Sequence, residues 1–344
     1  MREIIIDIET NMGASHIWCA VTKDLSTQEV KVWTEAEKLQ GFLAKESTII
    51  GHNVIGFDAP VLKKHWNIQL DNHQIKDTLV MSRLLKPTIE NGHSLRAWGQ
   101  RLGKNKDDFK DFDGGLTSEM VRYCKQDVEV TATLYKRLTN DLLGWGKSVD
   151  LEHRVALIVK QQEDTGFKLN VRQAMSLLVG WKNRINEIQC ELQQVFKPIV
   201  SVRFSEKTGK KLKDKTEVFN PASRKQIAER LMALGWQPTK HTEKGSVIVD
   251  EGTLQTIDIP QAKLIAEYLL VQKRVAQVES WIDHADHSDR VHCKVITNGA
   301  VTGRMTHSKP NLAQVPRVGN PFGKECRECW TVDEGNVLVG SRAY

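Results

Sequence analysis

Residues 3–10 read Glu-Ile-Ile-Ile-Asp-Ile-Glu-Thr (EIIIDIET), and they set the fold of everything around them. A continuous apolar run that passes into alternation predicts a central strand. Asp7 and Glu9 stand two apart on it, so their side chains leave from one face and can share a cation. A DxE pair alone carries little information, but these acids sit in apolar surroundings, where an unpartnered carboxylate is costly. Working outward, HIWCAVTKD (16–24) and EVKVWT (29–34) continue as an antiparallel meander. STIIGHNVIGFDAPVLKKH (47–65) reads as strand, loop and helix. Helices are predicted at DTLVMSRLL (77–85), HSLRAWGQRLG (93–103) and TSEMVRYCKQDVEVTATLYKRLTNDLL (117–143). The first region is therefore α/β around one sheet, bounded by LGWGKS (143–148).

At 344 residues the chain exceeds one comfortable core. With 40% hydrophobic and 27% charged residues and no apolar stretch near the length of a bilayer span, no membrane association is expected, and a cytoplasmic location is. Six scattered cysteines (Cys19, Cys124, Cys190, Cys293, Cys326, Cys329) argue for free thiols in a reducing compartment. The formal charge of +6 is unevenly placed. Residues 1–147 hold 20 Lys/Arg and 20 Asp/Glu, and residues 148–344 hold 29 and 23, so the whole excess lies in the second part. That asymmetry suits a phosphate-facing surface and is equally compatible with a solvated one.

From Leu151 the texture changes to long helices, at 151–167, 170–196, 250–257 and 259–282. Between Val200 and Phe219 six Lys/Arg stand against three acids, which reads as a flexible basic loop, followed by Asn220 as a cap and Pro221 in the first turn of a helix. VLVG (337–340), within EGNVLVGSRAY, reads as a buried strand.

Two further segments of the first region bring acids. HNVIGFD places Asn53 and Asp58 at a loop and helix start, and YCKQD places Tyr123 and Asp127 at i and i+4 on one helix face. Four carboxylates (Asp7, Glu9, Asp58, Asp127) from a strand, a loop–helix junction and a helix can hold two hard divalent ions about 4 Å apart, the separation used in phosphoryl transfer. Oxygen ligands favour Mg²⁺, with Mn²⁺ as the alternative, over zinc.

In this order, DIET, NVIGFD and YCKQD resemble the ExoI, ExoII and ExoIII motifs of the DEDDy class of 3′-5′ exonucleases. The resemblance implies a ribonuclease H-like exonuclease domain over 1–147. Asp7, Glu9, Asp58 and Asp127 would hold the ions, Tyr123 would orient the attacking water, and Thr10 and Asn53 would contact the 3′ nucleotide. Where relatives carry a bulky wedge four residues after the Glu, this chain has Gly13, which passes that task to Met12 or weakens it.

NGAVTGRMTHSKPNLAQVP (298–316) resembles the segment joining thumb to palm in family A DNA polymerases, and the order of the surrounding elements is most similar to their phage branch. It implies a mostly α-helical thumb over 148–290 and the start of a palm over 291–344. Single-stranded 3′ ends and primer-template DNA would be the partners, in a phage-infected or bacterial host cytoplasm. Lys210, Lys211, Lys213 and Lys215 would touch phosphates, and Thr302, Gly303, Arg304, Asn311, Gln314 and Arg327 the duplex. Cys326 and Cys329 form a CxxC without a second pair, so no zinc site is expected, and His93, His292 and His307 read as packing or ordinary polar contacts. The short span before VFNPASR implies no thioredoxin clamp.

Family A polymerases follow the VLVG-like strand with DxSxxELR, whereas this chain reads VLVGSRAY, with Arg342 in the place of the aspartate. The expectation is that the polymerase site is absent from this chain. Either the chain is an active proofreading nuclease, or it is a non-catalytic DNA-binding or assembly fragment completed by a separate polypeptide carrying palm and fingers.

Overall fold

The computed structural model describes residues 2–70, 73–104 and 108–340. Its contacts divide into two compact units, Met1–Thr165 with Cys293–Asn311, and Gly166–His292 with Leu312–Tyr344. In the first, β1 (Arg2–Thr10), β2 (Ile17–Asp24) and β3 (Val30–Trp33) form an antiparallel meander. Helix α1 (Ala36–Phe42) leads to β4 (Ser47–Gly51), and α2 (Asp58–Trp66) to β5 (Gln74–Asp77). The sheet order is β3-β2-β1-β4-β5, with β1/β4 and β4/β5 parallel. Helices α3 (Thr78–Leu85), α4 (Leu95–Arg101), α5 (Ser118–Asp141) and α6 (Gly146–Thr165) complete this mixed, ribonuclease H-like layer.

The alternation of β1 buries both of its faces. Ile4, Ile6 and Ile8 pack with Ile49 and Leu62, while Ile5 packs with Cys19, Val21, Cys124 and Val128 toward α5. Parallel pairing with β4 covers only Arg2 to Ile5. The C-terminal half of β1 therefore overhangs its neighbour, held on its other edge by β2, with an irregularity in register between Glu9 and Thr10.

The second unit contains β6 (Phe167–Leu169), α7 (Val171–Val195), β7 (Ile199–Phe204), β8 (Lys211–Glu217), α8 (Arg224–Ala233), α9 (Glu251–Gln255), α10 (Pro260–Asp283) and β9 (Arg290–Val291). The chain then returns to the first unit as the hairpin β10 (Lys294–Ile296) and β11 (Thr306–Ser308), and ends its regular structure with α11 (Gly323–Glu328) and β12 (Trp330–Thr331). Strands β12, β6 and β9 form one sheet. Helices α7 and α10 are joined by Arg184, whose Nε and Nη2 donate to the two oxygens of Glu267 at 2.7 and 3.1 Å.

Three expectations are corrected. The basic stretch after Val200 is an antiparallel hairpin, not a flexible loop: Ile199, Val200, Val202 and Phe204 supply strand-forming residues, and Ser205–Lys210 closes the turn with Gly209 at φ +63°. Helix α8 starts at Arg224 with Ser223 as its cap, because Asn220 instead accepts the Ala222 N–H in a local turn. The apolar run 337–340 has no strand partner among the described residues, and Val337, Leu338 and Val339 are exposed. Arg342 lies outside the described residues. Residue 147 falls in the first turn of α6, which belongs wholly to the first unit. Val149 packs in that unit's core and Asp150 pairs with Lys76, which fixes the helix there. The expected palm segment, 291–344, is divided between the units. No described helix is long and apolar enough to cross a membrane, and the six cysteines are free.

Candidate active site

The overhang of β1 is where the acids meet. Asp7 and Glu9 point to the α5 side, and one oxygen of each lies with the Cys124 sulfur in a group whose atoms are all within 4.8 Å of one another. Asp58, the first residue of α2, fills the place that a strand neighbour would take: its Oδ1 accepts the Ile8 N–H at 3.2 Å. Asp127 stands on α5 three residues after Cys124. Glu9, Asp58 and Asp127 are 6, 4 and 5% exposed. Burial first, then the nearby Asp77 and Asp127 carboxylates, push Asp58 up to about 7, against the pull of backbone N–H groups. The adjacent Asp7 and Glu9 oxygens and the buried Asp58 carboxylate form a donor set suited to hard cations, so the residues present fit the divalent metal that the resemblance implies.

Cys124 was legible only as an apolar position in the helix. Burial, the neighbouring Cys19 and the Asp7 and Glu9 charges raise its pKa well above the ordinary thiol value. It therefore stays protonated and donates to Asp7 Oδ2 at 3.4 Å. In this state the thiol orients a carboxylate, and its sulfur stands within ligand reach of the same two acids. Its position one turn before Asp127 was the available signal.

Tyr123 lies beside Phe109 and Phe112, with ring centroids 5.7 and 6.2 Å away. The segment carrying these rings is tied to the start of the sheet by Trp18 Nε1 donating to Phe112 O at 2.8 Å and Met12 N–H donating to Asp113 Oδ1 at 3.0 Å. Thr10 is buried, with its hydroxyl donating to Asn11 O. Met12 is exposed, and nothing lies within 4 Å of where a Cβ on Gly13 would be.

Asn53 has φ +65°, a left-handed conformation that Asn enters more readily than most residues and that its surroundings here reinforce. What holds it is Asp77, whose carboxylate accepts the N–H groups of Asn53, Ile55 and Leu79 at 2.8, 3.1 and 2.9 Å. The Asp77 N–H in turn donates to His153 Nε2 at 2.7 Å, while His153 Nδ1 donates to Val149 O at 2.7 Å. Burial keeps the His153 pKa below its usual value, so the ring is neutral with its proton on Nδ1. The sequence showed Asp77 only as the first residue of a predicted helix, and its capping role was the readable hint.

The expected nucleic-acid contacts fall into separate groups. Thr302, Gly303 and Arg304 share the exposed turn between β10 and β11, with Gly303 at φ +73°, and Asn311 follows in the same unit. Lys211, Lys213 and Lys215 are on β8, with Lys210 in the turn before it, all exposed. Gln314 and Arg327 belong to the second unit and both make internal bonds: Gln314 O accepts from Gln277, and Arg327 Nε donates to Pro316 O. His93 bridges Ser82 and Pro87, and His292 meets Asp286.

Residues 1–143 match the family model of the 3′-5′ exonuclease, and residues 196–342 that of DNA polymerase family A. The first part is thus a 3′-5′ exonuclease domain. Along its length the chain is similar to the N-terminal part of phage-type family A DNA polymerases. It is 29% identical to the DNA-directed DNA polymerase of Escherichia phage T7 and equally to that of Enterobacteria phage T3, with 94% of the chain and 64% of the relative covered. It is 26% identical to DNA polymerase I of Aquifex aeolicus over 86% of the chain and 50% of the relative. The chain thus spans about two thirds of the length of its phage relatives. Among solved structures, the POL domain of Pol1 from M. smegmatis in complex with DNA primer-template and dNTP shares the fold, with a TM-score of 0.74, 14% identity, and coverage of 97% of this chain and 55% of that one.

Proposed function

We propose that this chain is the proofreading part of a family A DNA polymerase, a metal-dependent 3′-5′ exonuclease that removes nucleotides from single-stranded 3′ ends and holds primer-template DNA. The observation that supports this reading is that Asp7 and Glu9 lie together at the overhang of β1, that Asp58 accepts the neighbouring Ile8 N–H, and that Asp127 acts electrostatically on Asp58. Two divalent cations, Mg²⁺ or Mn²⁺, would supply charge neutralisation at the scissile phosphate and acidify the attacking water when bound. Asp7, Glu9, Asp58 and Asp127 would be their ligands. Cys124 fixes the Asp7 carboxylate, and the Ile8 N–H fixes that of Asp58. Tyr123, one helical turn before Asp127, would hold the water in line with the phosphorus, and Asn53 and Thr10 would hold the terminal nucleotide. Water attack forms a new P–O bond, the P–O3′ bond breaks, and a 5′-mononucleotide leaves. On a 5′-labelled single strand in Mg²⁺, stepwise shortening from the 3′ end is expected, arrested by EDTA; an intact strand, or shortening that persists in EDTA, overturns the reading.

The β7–β8 hairpin supports the DNA-holding part of the proposal, because its lysines are exposed and their pairs with Asp214 and Glu217 are long, at 3.6 Å. Changing Lys210, Lys211, Lys213 and Lys215 to Gln should make the salt dependence of primer-template binding shallower by about 0.9 in log–log slope for each phosphate that the hairpin no longer neutralises. An unchanged slope would place the hairpin away from DNA.

A further inference from the structure

Beside Asn53, within the first unit, lies a cleft of about 100 Å³ whose charges the exonuclease chemistry leaves unused. Its walls carry Arg83 from α3, Lys160 and Glu163 from α6, Lys294 from β10, and Asp77. Three of these charges are already committed, Glu163 among them. Asp77 is occupied by three backbone N–H groups, and Lys160 is paired with Asp164 at 2.5 Å. Arg83 is different: it is half-buried, and among the described residues no carboxylate or carbonyl oxygen is hydrogen-bonded to it. Burial works against its charge, and the nearby Asp77 carboxylate favours it. Lys294 is exposed, lines the same cleft and forms no ion pair among the described residues.

A guanidinium presents five donors in a rigid fork, and withdrawing it from water without acceptors is unfavourable. The acceptor that matches this fork is a phosphate, which takes two parallel N–H bonds. We propose that Arg83, with Lys294 beside it, binds a backbone phosphate of the single strand upstream of the nucleotide held at Asn53. The cleft thus fixes the strand's path into the carboxylate site. This inference rests on the exonuclease reading, because Asn53 is the wall common to the cleft and to the ExoII segment. It also gives the segment 294–297 a part in that path, since its residues line the cleft.

The test uses the full chain with Arg83→Gln and Arg83→Lys. Against single-stranded DNA in Mg²⁺, Arg83→Gln should raise KM roughly tenfold or more with kcat within about twofold of wild type, and Arg83→Lys should recover part of the loss. Strand binding, measured in an Asp7→Ala background, should lose about 0.7 from its log–log salt slope when Arg83 is changed to Gln. Single neutral methylphosphonate linkages placed along the 3′ end should include one that weakens wild-type binding about as much as Arg83→Gln does, and that weakens Arg83→Gln no further. A variant with wild-type KM and slope overturns the proposal. So does one whose melting temperature falls while the slope stays fixed, since Arg83 would then only balance Asp77. Should the wild type leave the strand intact, the exonuclease reading falls, and the slope still decides whether Arg83 grips phosphate.

Discussion

Asp7→Ala should lower single-strand digestion in Mg²⁺ by roughly 10³-fold or more, and Asp58→Asn should do the same while making the metal-free protein more resistant to heat at pH 8. The activity loss follows from removing one of the four proposed oxygen ligands. The stability gain follows from the Asp58 pKa, pushed from 3.8 up to about 7. A carboxyl whose pKa is raised by folding holds its proton more tightly in the native state. Its contribution is most favourable below about 4 and is lost as pH rises toward 7. Above pH 7 the native protein carries a buried anion beside Asp127 and Asp77. The amide introduced by Asp58→Asn would remove that anion and keep an oxygen able to accept the Ile8 N–H, a gain on the order of 1–3 kcal/mol after the amide's own burial is counted. Mg²⁺ should stabilise the wild type and leave Asp7→Ala nearly unmoved, because a ligand that binds only the native state shifts unfolding by mass action. Thermal melts from pH 4 to 8, with and without Mg²⁺, give the answer. A metal-free wild type whose stability does not fall over that range, or equal Mg²⁺ shifts in wild type and Asp7→Ala, would sink the assignment.

The parts of this site that the sequence revealed are those whose signal is local. The run Ile4–Ile6, the DxE pair and the Tyr123/Asp127 spacing each depend on a period of two or of about four residues, and the structure places each on the strand or helix that this period requires. Asp77 was obscure because two of the N–H groups it serves lie 24 and 22 residues away. Cys124 was obscure because a buried thiol and an apolar residue satisfy the same helical pattern. In the β7–β8 hairpin the density of Lys and Arg masked the β-branched residues of its first strand. The placement of β10 and β11 in the exonuclease unit depends on interactions across more than a hundred residues of chain, as in the Asn298 Nδ2 donation to Glu152 at 2.8 Å. No periodicity encodes such a pairing.

Asp77→Ala should be among the most damaging single changes in the first unit, costing about 3–5 kcal/mol, although Asp77 is not among the expected metal ligands. Its two oxygens satisfy three N–H groups, and Asp77 itself is 1% exposed. An alanine leaves those donors buried without an acceptor, and little water can reach them. The damage should also reach the chemistry. Asn53 keeps its left-handed backbone through Asp77, and Asp58 lies five residues along the same loop, so release of the loop displaces a nucleotide-holding group and a ligand together. At temperatures where the variant remains folded, a loss of about 10²-fold in kcat/KM is expected. Asp77→Asn separates the two effects. One oxygen can still accept from Asn53 and Leu79, while the amide nitrogen faces the Ile55 N–H, donor against donor, so both stability and activity should fall between the wild type and Ala. If Asp77→Ala melts within about 1 kcal/mol of the wild type, the loop is held by something other than this carboxylate. If it is destabilised but digests DNA normally below its transition, Asp77 supports the fold without positioning the site.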